Sequence, residues 1–142
     1  METEYNFGEG LVPAHRHKNL DGSEGGWVAD SANVGDGVFI GEDALVYGEA
    51  QVYGKARIYG HAVVFGNCKV GDAEVYGDAN IYGDAWVFSG ATVCGYALVC
   101  EKGWVFGRVT VGGHVQVRGN GNVHGSGEFS GHQILTGDYD GN

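Results

Sequence analysis

Proline is nearly missing from this chain of 142 residues, where Pro13 is the single instance. Set against 28 glycines, that scarcity excludes collagen, which needs both residues in quantity. Cations are scarce as well: Lys+Arg number 8 against 18 Asp+Glu, a formal net charge of −10. Phosphate backbones are repelled by such an average, so direct binding of nucleic acid is not expected. No apolar run approaches the ~18 residues of a membrane span, and the opening METEYNFGEG is acidic with no apolar centre. Neither a membrane span nor a secretory leader is expected. Threonine occurs only at Thr3, Thr92, Thr110 and Thr136, too few for the Thr-x-Thr ladders of an ice-binding solenoid. No Gly-Lys-Ser/Thr triplet forms a phosphate loop.

What the chain does contain is a repeat. Hydrophobic residues make up 43%, too many for a disordered tail. Aliphatic anchors recur at Val28, Val34, Ile40, Val46, Val52, Ile58, Val64 and Val70, then after a five-residue step at Val75, Ile81, Val87, Val93, Val99, Val105, Val111, Val117 and Val123. Phe129 and Leu135 end the series. A small residue follows four positions after most anchors, as at Ala44, Ala50, Ala56, Ala62, Cys68, Ala79 and Ala85. The unit is [Val/Ile]-[Tyr/Phe]-Gly-x-Ala-x. A six-residue period does not fit an amphipathic helix, which needs steps of three and four. Anchor and small residue share even parity, so both lie on one face of an extended strand, and the glycine makes the turn.

Six residues per strand and turn predict an all-β, three-sided parallel β-solenoid with Val/Ile filling the bore and Ala at the corners. The span 28–134 divides into seventeen units of six and one of five. At three units per coil this is about six coils, a rod roughly 29 Å long at ~4.8 Å per coil. Residues 28–135 form the repeat, 1–27 an N-terminal cap or partner-contact segment, and 136–142 a frayed acidic tail. Val109 and Val115 fill the small-residue slot, whereas Gly121 and Gly127 leave it emptier, which predicts looser C-terminal coils.

The pattern resembles the hexapeptide repeat of the left-handed parallel β-helix, found in trimeric bacterial acyl- and acetyltransferases and in γ-class carbonic anhydrases. The Tyr-Gly-x-Ala variety, preceded by PAHRHKNLDGSEGGWVADSANV, is similar to uncharacterised hexapeptide proteins of phages and prophages. The resemblance implies a homo-oligomer, a trimer as first guess, in the cytoplasm of a bacterial host. It is specific for fold and not for chemistry.

Residues 18 apart stack, so outward columns can be read directly. Leu45, Val63, Asn80, Leu98, Gln116 and Ile134 form one column, expected beside Tyr59, Tyr76 and Cys94 on one apolar side. A second side is expected to carry Tyr47, Phe65 and Tyr82 with stacked Trp86 and Trp104. A third carries Arg57, Glu74, Thr92, Thr110 and Glu128 with Phe88 and Phe106. Contiguous exposed apolar surface marks an interface, so Leu45, Val63, Leu98, Ile134, Tyr59, Tyr76, Trp86 and Trp104 are the candidate binding residues. Cys68 is expected in the bore, and Cys94 and Cys100 outward on different sides. No intrachain disulfide follows, and a reducing compartment fits.

The turn column Asp43, His61, Asp78, Tyr96, His114, His132 is where chemistry could reside. A histidine flanked by carboxylates serves as a general base, and two stacked histidines can hold zinc. His61 and His114 are therefore the catalytic candidates, against the plainer reading of solvated turns. The spacing HGSGEFSGH does not match the carbonic anhydrase ligand set. No loop interrupts the repeat to shape a CoA site. A non-enzymatic binding or scaffold protein, acidic and engaging a host macromolecule, is therefore the leading expectation, with no cofactor and no metal. The alternatives are a hexapeptide acyltransferase using a histidine at a subunit cleft, or a sponge holding a small ligand between protomers.

Overall fold

The computed structural model describes residues 3–141. It is all-β, and its short strands stack into three sheets of nine, seven and six strands, parallel throughout the solenoid of about six turns that they wall. Neighbouring rungs lie one coil apart. Val46 pairs with Val64, Ile58 with Val75, and Val87 with Val105. The bore is filled as the repeat demands: Val28, Ile40, Val46, Ile58, Val64, Ile81, Val93 and Val117 are fully buried, and Ala44, Ala62, Ala79 and Ala97 are buried with them. Each aliphatic side chain so covered contributes on the order of 1.5–3 kcal/mol.

The corners are built from glycine in the left-handed region. Gly60, Gly77, Gly95 and Gly113 stack in one column with φ between 59° and 70°. A Cβ on any of them would come within 2.7–2.9 Å of the nitrogen of the glycine one coil on. Only a residue without a side chain allows the turns to stack this closely. At the five-residue step Asp72 takes φ 50°, and its carboxylate accepts the Lys55 amide at 2.9 Å. One turn residue is lost there, and the Asp72 side chain stabilises the shortened corner.

Both ends are closed. β1 (Glu4–Asn6) and β2 (Leu11–Lys18) form an antiparallel hairpin, β2 pairs antiparallel with β3 (Glu24–Ala29), and β3 joins the solenoid at Val28 beside Val46. Asn19, 4% exposed, donates from Nδ2 to the Ile40 carbonyl at 3.0 Å and accepts the Ile40 amide at 2.9 Å. It thereby occupies the place of a missing strand. The buried His17 Nε2 lies 2.8 Å from the Val38 carbonyl oxygen.

At the other end the structure differs from the sequence expectation. Asp138–Asp140 is a strand, not a frayed tail, and pairs in parallel with Asn122–His124. Tyr139 takes the bore position four residues after Leu135, packing against the core and edge-on to Phe129 at 6.4 Å. Phe129, Leu135 and Tyr139, one from each sheet, plug the last coil. Gly121 and Gly127 are not voids either. A Cβ there would strike the carbonyl oxygen of Leu135 at 2.4 Å and that of Gly141 at 2.2 Å. The backbone closes into those slots.

Candidate functional site

The outward columns are those the repeat predicts, but their grouping is shifted by half a side. Residues on either side of a turn belong to different sheets. Leu45, Val63, Asn80, Leu98, Gln116 and Ile134 stand on the nine-stranded sheet. Their neighbours on that face are Tyr47, Phe65 and Tyr82, not Tyr59 and Tyr76. Tyr47 stacks on Phe65 at 4.8 Å and Phe65 on Tyr82 at 5.0 Å. Phe7 of the N-terminal hairpin continues the stack at 4.7 Å from Tyr47. From Leu45 to Gln116 in one column and from Tyr47 to Cys100 in the other, this face carries no charge. Cys100 is outward, yet only 2% exposed. It lies between Tyr82, which hydrogen-bonds to it, and Arg118, which bonds Glu101 at 2.9 Å.

Tyr59 and Tyr76 flank the six-stranded sheet and stack at 5.0 Å. The Tyr59 hydroxyl donates to Glu74 at 3.1 Å. Burial and this acceptor raise the phenol above its ordinary value. The Tyr76 phenol is raised chiefly by its hydrogen bond with the half-buried Cys94.

Trp86 and Trp104 occupy the seven-stranded face beside Phe88 and Phe106. Phe88 and Phe106 stack at 5.0 Å, while the two indoles meet edge-on, 5.1 Å apart and 78° between planes. Tyr53 lies across Gly71, where its ring would be met by a Cβ at 2.2 Å, and its hydroxyl accepts the Trp86 Nε1 proton at 2.9 Å. Lys69 reaches over Trp86 at 5.3 Å.

The histidine column is aligned as expected. Tyr96 stacks on His114 at 4.8 Å, and His114 on His132 at 4.6 Å, each pair within 4° of parallel. Ring nitrogens hold a metal through lone pairs in the ring plane, so parallel stacked rings do not converge on one ion. Among the described residues no group of three His, Cys, Asp or Glu is placed to hold a metal. His61 is exposed, and among the described residues the side-chain hydrogen bonds and ion pairs of histidine are those of His15, His17 and His124, so none ties the His61 ring to Asp43 or Asp78. The arrangement that would orient a general base is not formed there.

Three polar clusters carry no periodic signal and emerge only from the structure. They are the Asn19/His17 clamp, the His15–Asp30 pair at 2.7 Å, and His124 Nε2 bonded to Asp138 at 2.8 Å while its ring stacks on Phe106. Each ties an end strand to the coil next to it.

The chain matches the family described as the YdcK beta solenoid repeat over residues 56–72, a stretch that ends inside the five-residue step from Val70 to Val75. No curated protein and no solved structure matches it.

Proposed function

We propose that this chain is a non-enzymatic binding protein, an acidic oligomeric rod that engages a basic macromolecule. The observation that carries the reading is the partition of charge. The face built on Leu45, Val63, Leu98, Tyr47, Phe65 and Tyr82 is uncharged, whereas Asp36, Glu42, Asp43, Glu49, Asp78 and Asp84 all stand exposed on turns. In a chain of net charge −10, an uncharged apolar face suits burial against a second copy, and the acidic corners suit a cationic partner. A trimer is the first expectation for the assembly. Tyr59, Tyr76, Trp86 and Trp104 on the two remaining faces are the aromatic contacts offered to that partner, and steering by the acidic corners speeds the encounter.

The test is the assembly itself. Placing Glu at both Val63 and Leu98 puts charge into the proposed interface, at a cost of several kcal/mol if it is buried. Multi-angle light scattering is expected to show an oligomer for the parent and a monomer for V63E/L98E, with an unchanged strand signature in circular dichroism. A monomeric parent, or a double variant that still assembles, overturns the reading.

A further inference from the structure

The hairpin at the N-terminal end builds a pocket of about 140 Å³ against the first coil, lined among others by Phe7, Glu9, Val12, Ala29, Ser31 and Tyr47. Its walls are mostly apolar, with the Phe7 and Tyr47 rings stacked at 4.7 Å. The loop that contributes Glu9 is set in advance. Asn6 Oδ1 accepts the amides of Gly8 at 2.7 Å and Gly10 at 3.1 Å, and both glycines have positive φ, 123° and 105°. A turn of this kind holds its shape before any ligand arrives, so little ordering remains to be done on binding. The carboxylate of Glu9 brings a negative charge to this apolar site, close enough to Tyr47 to add to the effect of burial in raising its phenol. Among the described residues no cation of this chain pairs with Glu9.

An apolar cavity of roughly 150 Å³ holds a group the size of benzene. A butyl stem ending in an ammonium has comparable bulk, and it matches the chemistry of the lining. The methylenes lie against aromatic and aliphatic walls, and the charge meets a carboxylate. A guanidinium is the bulkier head group, whereas an ammonium is a compact point charge that needs less of this small cavity. We propose that the pocket seats a lysine side chain of a basic protein partner, with its ammonium on Glu9. This rests on the reading of the rod as an acidic binder and adds the anchor through which the partner is gripped.

Nuclear magnetic resonance titration of the whole protein with octalysine at low salt tests both levels. Saturable shifts are expected at Phe7, Val12 and Tyr47. The dissociation constant should rise about tenfold in Glu9→Gln, which preserves shape, and in Phe7→Ala. Unchanged bore resonances at Val64 and Val99 would show that the variants fold. Lysine amide at millimolar concentration should reproduce the pocket shifts, and norleucine amide should not. If octalysine binds both variants as tightly as the parent, the pocket assignment is overturned while the acidic-rod reading stands. If octaarginine fills the pocket equally well, the lysine assignment is overturned. If no cationic peptide binds at low salt, the rod reading itself fails and the pocket fails with it.

Discussion

Burial pushes the Cys68 thiol up to about 12, because a thiolate in the Val/Ile-lined bore has no solvent to stabilise it. The other two cysteines divide in a way that strand parity alone does not reveal. Both point away from the bore, but Cys100 is shielded by the neighbouring side chains of its column, Tyr82 and Arg118, whereas Cys94 lies beneath Gly112, which adds no cover. Parity gives direction, and exposure depends on the size of what stands one coil away. Treatment of the native protein with an aromatic disulfide reagent at pH 8 should therefore modify one thiol rapidly, that of Cys94. Cys68 and Cys100 should react only on unfolding. Two or more fast equivalents would contradict this account. Arg118 also acts on Glu101, which stands on an exposed turn. The hydrogen bond from Arg118, aided by the Gly119 amide, holds its carboxyl below the usual range. That contribution to stability is present above the ordinary carboxylate value and is lost as pH falls through the lowered one.

At the level of elements, the strands of the bore were legible because each position answers to one strong constraint. A triangular bore admits Val or Ile on its sides and Ala at its corners, so the register from Val46 to Val117 can be read by counting. The end elements answer to a different constraint, the pairing of backbone groups left open by a missing coil. Asn19 meets it with a side-chain amide, which mimics a peptide group in donor and acceptor alike. Its partner Ile40 lies 21 residues on, so no repeat discloses the pair. Tyr139 was hidden similarly, because the step from Leu135 is four residues rather than six. Replacing Asn19 by Ala leaves the buried amide and carbonyl of Ile40 unpaired, and at ~1–3 kcal/mol per orphaned group the loss should be about 2–6 kcal/mol. Urea unfolding measures it. A loss under about 1 kcal/mol would show that water replaces the side chain, and that the clamp contributes little.

For the whole molecule, the columns were legible and the faces were not. Counting by 18 places Leu45 under Val63, but which columns share a sheet depends on where the chain turns. Leu45 and Tyr47 flank one strand, whereas Tyr59 and Leu45 belong to different sheets. The candidate interface thus gathers Leu45, Val63 and Leu98 with Tyr47, Phe65 and Tyr82, a more continuous apolar surface than the sequence suggested. Because each coil touches only its neighbours, stability is distributed along the axis and opening begins at the ends. Hydrogen exchange is expected to be slowest for the amides of Phe65, Tyr82 and Cys100 in the middle rungs and at least tenfold faster for Gly141 and Asn122 in the last. Uniform protection along the rod would mean a single cooperative unit instead.

Asp72 has a further consequence for the winding of the chain. A rod of interchangeable units has no intrinsic zero: wound one unit out of phase, it would still place Val on Val and Ala on Ala. The shortened corner removes that degeneracy. Its carboxylate finds the Lys55 amide, and the bare Gly71 accepts the Tyr53 ring, only when those two residues lie directly one coil below. It works as the notch on a dial, giving an otherwise uniform helix of strands a fixed origin from which every other rung is counted.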